Sequence, residues 1–181
     1  MRTSAFLFFT LFCMALNGQN QEITPENGNS FLLGKITLNV FEKEPYREWY
    51  QKSYQDYGVD ETLVHLFSKK LSHYRIQLFL GTWCGDSKRE VPRFIKILKE
   101  ANFPLENLEV VALDRRKGWY KKSPGGEERG KNIKKVPTIL FIKNGKEVNR
   151  IVESPVESLE EDMALILNGG EYIPNYAVMK Q

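Results

Sequence analysis

Cysteine is nearly absent from this chain: its 181 residues include two, Cys13 and Cys84. That scarcity excludes a disulfide-stapled fold and a cysteine-rich metal centre. Histidine is equally rare, and His65 and His73 have no partners at metal-ligand spacing, so neither a metal nor a cofactor is expected. No charge of one sign dominates. The 26 Lys and Arg residues face 23 Asp and Glu, a formal net charge of +3 that by itself implies no nucleic-acid partner. Internal repeats and low-complexity tracts are also missing, which leaves an ordinary globular chain.

The one long apolar run, residues 5–16, falls short of the roughly 20 apolar residues a spanning helix needs. It follows Met1-Arg2-Thr3-Ser4 and precedes the small polar stretch 17–21, the order of a secretory signal peptide. Residues 1–18 are therefore expected to be a leader cleaved near Gly18, and the mature protein to be exported without a transmembrane segment. Acylation of Cys13 fits less well, because bulky Phe12 precedes it and the apolar run continues beyond it. About 160 residues then remain, enough for one domain with a modest extension. Cys84 is left as the sole thiol, so no internal disulfide can form.

The rest of the chain alternates strand and helix signals. Ile36, Leu38 and Val40 alternate within an expected strand at 31–41. Tyr46, Trp49, Tyr50, Tyr54 and Tyr57 share one face of a helix that begins near Pro45 and ends before Gly58, and core packing explains this stripe better than ligand binding. A second helix, capped near Asp60, puts Leu63, Leu66, Phe67 and Leu71 on one side. The apolar run 76–80 then delivers the chain as a strand into Gly81-Thr82-Trp83-Cys84. A helix follows, with Val91, Phe94, Ile95 and Leu98 at helical spacing and Pro92 expected to kink it. Next come a strand at 108–113, a basic segment with a short helix near 127–132, and a strand at 136–142. Asn144-Gly145 supplies a hairpin turn, 147–152 returns, and a helix over 156–167 stops at Asn168-Gly169-Gly170. This order mixes parallel crossovers with one hairpin and predicts an α/β sandwich around a mixed sheet.

Trp83-Cys84-Gly85 at a strand-to-helix junction, Pro92 eight residues after the cysteine, Val136-Pro137-Thr138 and the later Asn144-Gly145 hairpin together resemble the thioredoxin family. The resemblance covers roughly residues 76–167. It implies a thioredoxin fold, a central mixed sheet flanked by helices, over residues 75–181, with residues 19–74 as an N-terminal strand and helix extension packed with it as one unit. With the leader, it is closest in kind to the bacterial envelope members, which implies a periplasmic location. It also implies catalytic roles for Cys84, Ser87 and Trp83, and substrate binding at Val136, Pro137 and Thr138, where a cis proline would present backbone to an extended substrate.

Three departures bear on chemistry. Ser87 stands at the position of the second, resolving cysteine, Asp86 replaces a neutral residue, and Leu78 occupies the place of a buried acid that assists proton transfer. A cysteine at a helix N-terminus is still favoured as thiolate, helped by Lys88 and Arg89, opposed by Asp86, and within reach of a hydrogen bond from Ser87. The expected function is a monothiol route in cell redox homeostasis: Cys84 attacks a disulfide, and a thiol from the substrate, glutathione or a partner completes the exchange. Sulfenic acid formation by peroxide is also open to it. The competing reading is a non-catalytic binding protein that uses the cis-proline edge. Iron–sulfur binding through Cys84 and glutathione fits poorly beside Trp83 and the leader. Finally, residues 115–135 carry nine basic residues against Glu127 and Glu128, either a solvated loop or an attractor of anionic thiol or disulfide partners.

Overall fold

The computed structural model describes residues 19–26 and 28–177, so the expected leader at 1–18 and Cys13 lie outside the described residues. The strands are β1 (Gln21–Ile23), β2 (Phe31–Ile36), β3 (Arg75–Leu80), β4 (Leu108–Ala112), β5 (Thr138–Lys143) and β6 (Lys146–Val152). The helices are α1 (Arg47–Asp56), α2 (Glu61–Leu71), α3 (Gly85–Glu100) and α4 (Leu159–Asn168). The six strands form one mixed sheet in the order β1-β2-β4-β3-β5-β6. Its parallel pair is β3 with β4, joined by the α3 crossover, whereas β2 runs antiparallel to β4 and β5 antiparallel to β3.

Strand alternation divides the interior into two cores. Ile76, Leu78 and Leu80 face one side together with Val110, Ala112, Ile139, Phe141 and Ile151, and residues from all four helices pack there. The opposite face carries Phe79, Val111 and Leu140, closed by Leu113 and Val136 with Ile133 against them. The sheet is thus flanked by helices on its larger core, while the irregular stretch between β4 and β5 supplies cover on the other. Complete burial of each large apolar side chain contributes about 1.5–3 kcal/mol, so the helical face dominates stability.

Helix ends follow local chemistry. The Asp60 side chain accepts from Leu63 N–H at 3.0 Å, Ser158 Oγ accepts from Glu161 N–H at 3.1 Å, and Gly169 ends α4 at φ 70°. Asn144 and Gly145 take φ 52° and 75° in the β5–β6 turn. The aromatic stripe is half-buried: Phe41 stacks on Tyr50 at 4.8 Å and meets Trp49 edge-on at 5.6 Å. Cations of α3 cover its outer side, with Arg93 over Tyr57 and Lys96 and Lys99 over Tyr54.

Five expectations are corrected. The strand expected over 31–41 ends at Ile36, because Asn20 Oδ1 accepts the Thr37 N–H at 2.8 Å and the chain then enters a 3-10 turn, Leu38–Glu42. The first helix starts at Arg47 rather than near Pro45, after a cis Glu44–Pro45 bond. On α2 the buried residues are Val64, Phe67 and Leu71, and Leu66 is 71% exposed, so the inward face is rotated from the one expected. No helix forms at 127–132, where Gly126, Gly130 and Asn132 take φ 71°, 71° and 52° and break helical propagation into turns. The last helix begins at Leu159 instead of 156, where Ser158 caps it.

Candidate functional site

Cys84 is the N-cap of α3, with extended backbone angles φ −94° and ψ 130°. Its N–H donates to Gly81 O at 2.8 Å and its carbonyl accepts from Lys88 N–H at 3.0 Å, which fixes the turn from β3 into the helix. The thiol is free and half-buried, and Sγ lies 3.2 Å from the carbonyl oxygen of Val136. The sulfur stands at the start of a 16-residue helix and makes no capping hydrogen bond to it.

Trp83 forms the wall beside it. Its Nε1–H donates to Leu113 O at 2.8 Å, and its ring lies 5.5 Å from that of Tyr120. The indole also covers Gly81, where a Cβ would stand 2.6 Å from Trp83 Cε2, so residue 81 has room for glycine alone. Ser87, one turn into α3, is fully buried, and its hydroxyl oxygen accepts the Gly81 N–H at 3.2 Å. The serine thereby stiffens the turn from behind. Its partner is backbone and not the sulfur it was expected to assist. Leu78, where an acid would assist proton transfer, is fully buried in the helical core.

The sheet brings the second predicted group to the first. Val136–Pro137 is a cis bond, Val136 is buried, and Thr138 Oγ donates to Lys135 O at 2.7 Å. Because the side chains of Val136, Pro137 and Thr138 are buried, what this loop offers a ligand is main chain. Pro137 O accepts from Glu153 N–H at 2.7 Å, and Glu153 itself sits at φ 67°, a left-handed conformation that costs a non-glycine residue about 1–2 kcal/mol.

Glu153 is a polar residue that sequence reading did not single out, whereas Lys121 was read there as one of the basic residues of 115–135. Glu153 takes Lys135 Nζ at 3.0 Å and the Tyr176 hydroxyl, and Lys121 Nζ donates to Lys134 O. Burial opposes ionisation of Glu153, but hydrogen bonds from Tyr176 and Lys135 and the charges of Lys135 and Lys121 outweigh it and hold the carboxyl below its usual range. Burial pushes the Lys121 ammonium down, and Lys135 adds to this, while Glu153 and Cys84 act in the opposite sense. Lys121 therefore interacts both with the Glu153 carboxylate and with Cys84, whose preceding strand lacks an acid. The basic segment offered the only sequence signal for Lys121. Glu153 had none, since its approach depends on β6 pairing with β5.

Other members of the basic segment are occupied structurally. Arg116 grips the buried Asp114 carboxylate at 2.6 to 3.1 Å, and Lys134 Nζ donates to Tyr176 O at 3.2 Å. Arg150 holds the segment down through Lys131 O at 2.8 Å. Among the described residues there is no cluster of His, Cys, Asp and Glu that could hold a metal, and no helix long and apolar enough to cross a membrane.

No protein-family model matches the chain. It is 30% identical over 105 residues to the TPR repeat-containing thioredoxin TDX of Arabidopsis thaliana, a match covering 54% of this chain and 23% of that protein. The chain thus spans about a quarter of that relative's length. Among solved structures, the thioredoxin of Fasciola hepatica aligns at 20% identity over 60% of this chain and 91% of its own, with a TM-score of 0.37. Thioredoxin O2 of Arabidopsis thaliana in its oxidized state aligns at 18% identity over 56% and 85%, with a TM-score of 0.35. A parallel β3/β4 pair, an antiparallel β5–β6 hairpin beside it, helices on the sheet and a cysteine opening α3 make this a thioredoxin-like fold.

Proposed function

We propose that this chain is a thiol-disulfide oxidoreductase that works by a monothiol route through Cys84. The observation that carries this reading is the placement of a half-buried free thiol at the N-cap of α3, 3.2 Å from the Val136 carbonyl of the cis-proline loop. In the reaction, the Cys84 thiolate attacks one sulfur of a disulfide. A Cys84–substrate disulfide forms, the substrate S–S bond breaks, and the second sulfur leaves as a thiolate. An external thiolate then attacks the mixed disulfide, takes the substrate half as a new disulfide and returns Cys84 reduced. The electron pair comes from that external thiol, because Ser87 has no sulfur to give.

Lys121 and Glu153 serve as positioning residues in this scheme: Lys121 interacts electrostatically with both Cys84 and Glu153, where Leu78 contributes no acid. Trp83, held by its bond to Leu113 O, packs with Cys84 against the smaller core. Substrate main chain lies along the Val136–Pro137 edge. The order of a positive charge, an apolar run at 5–16 and a small polar stretch, which reads as a leader, supports action outside the cytoplasm, in the periplasm of a bacterial envelope.

The test is formation of a mixed disulfide with oxidised glutathione, read by mass spectrometry of the protein lacking residues 1–18. One adduct on Cys84, removed by dithiothreitol and absent from Cys84→Ser, is the expected result. An unmodified protein after prolonged exposure at pH 8 would sink the oxidoreductase reading in favour of a binding module at the cis-proline edge.

A further inference from the structure

The N-terminal extension and the active-site turn enclose a pocket of about 420 Å³. Its walls are Tyr46, Trp49, Thr82 and Trp83, and its cations are Lys88 and Arg115. Small-molecule sites span roughly 300–1,000 Å³, so the space suits a ligand of tripeptide size or less. Both cations are half-buried. Lys88 Nζ stands 5.9 Å from the Trp49 ring centre, and Arg115 lies 5.3 Å from the Phe31 ring while one of its NH2 groups donates to Asn29 O at 3.0 Å.

Neither cation has a carboxylate partner among the described residues, whereas other charged groups nearby are satisfied. Asp86 pairs with Arg89 at 2.8 Å, Glu44 with Arg47 at 2.7 Å, Asp114 with Arg116 at 2.6 Å, and Glu22 accepts the Tyr46 hydroxyl at 2.9 Å. Two unneutralised cations on aromatic walls, in a concave space that shares Thr82 and Trp83 with the active-site turn, select for negative charge. Gly28 keeps the rim open for Arg115: at φ 107° it bears no side chain, and a Cβ there would stand 2.7 Å from the guanidinium.

We propose that this pocket is an anion subsite that binds the carboxylate end of a small disulfide or thiol substrate and presents its sulfur to Cys84. The proposal rests on the oxidoreductase reading for its chemistry, but the pocket stands on its own geometry. Thr82 and Trp83 immediately precede Cys84, and Lys88 N–H donates to the Cys84 carbonyl at 3.0 Å, so the pocket adjoins the turn that carries the reacting sulfur. The bond changes are those already given: the anchored disulfide donates one sulfur to Cys84 and releases the other as thiolate, and an external thiol completes the cycle.

Two measurements test it. In the first, rates of mixed-disulfide formation are compared for oxidised glutathione, which carries carboxylates, and bis(2-hydroxyethyl) disulfide, which carries none. The double variant Lys88→Gln/Arg115→Gln is expected to lose at least about ten-fold more rate with the charged disulfide than with the neutral one, and restoring charge as Arg115→Lys to recover part of that selectivity. Equal losses on both would overturn the subsite. In the second, S-methylglutathione, which cannot exchange, is titrated into Cys84→Ser while tryptophan fluorescence is followed, since Trp49 and Trp83 line the pocket. A saturable change that is absent from Cys84→Ser/Lys88→Gln/Arg115→Gln supports the subsite, and a flat titration overturns it. Saturation together with no mixed disulfide from either disulfide would retain the anion site and sink the oxidoreductase reading, so the two failures are distinguishable.

Discussion

At the scale of single residues, the site depends on groups that touch Cys84 only through others. Gly81 is the clearest case, because its missing side chain makes room for the Trp83 indole. Gly81→Ala is expected to push that ring away and cost about 1–3 kcal/mol, measured as a lower urea midpoint together with a shifted tryptophan emission. Glu153 yields a pH-dependent prediction. Its carboxyl titrates lower in the folded protein than its ordinary value of 4.5, so the folded state is favoured above that value, and the contribution is lost as pH falls through the lowered one. Glu153→Gln should therefore flatten the decline in stability below about pH 4.5, as read from urea melts at pH 3 to 6. A wild-type and variant decline of equal steepness would remove Glu153 from the balance. Neither residue announced its role in sequence. Gly81 adjoins a recognisable Trp-Cys turn, but Glu153 reaches Pro137 only because β6 ends beside the start of β5, a long-range pairing invisible in local pattern.

At the scale of elements, periodicity was legible where one face is buried and the other wet. The alternation in β3, the apolar stripe of α3 and the Asn144-Gly145 turn all emerged where expected, since each satisfies its backbone locally. Reading failed where a distant side chain or backbone angle decided the outcome. Asn20 ended β2 early, and left-handed angles at Gly126, Gly130 and Asn132 dissolved the short helix expected near 127–132. Leu66 shows the limit of a stripe read at helical spacing: α2 packs on α4 through Val64, Phe67 and Leu71, and the remaining leucine is left to solvent. Caps are local and thus testable singly. Ser158→Ala should destabilise the protein by about 1 kcal/mol through α4, measured by chemical denaturation, because the Glu161 N–H loses its acceptor.

For the whole molecule, the larger core decides cooperativity. Leu32, Phe41, Val64 and Phe67 from residues before β3 pack in one cluster with Leu78, Phe94 and Phe141, so the extension and the rest of the chain share an interior. Thermal unfolding followed by tryptophan fluorescence and by far-ultraviolet circular dichroism should give coincident transitions, and two separated midpoints would show that the extension melts alone. Charge is divided between two places, a network in which Glu153 is neutralised by Lys135 and a cationic pocket with Lys88 and Arg115. The fully buried Ser87, turned toward the Gly81 amide, has a further consequence for this molecule in its surroundings. In the proposed monothiol route, an adduct on Cys84 meets no second thiol among the described residues, so its lifetime would be set by the thiol concentration outside. The fraction of molecules carrying an adduct would then be a slow record of how reducing that medium has been.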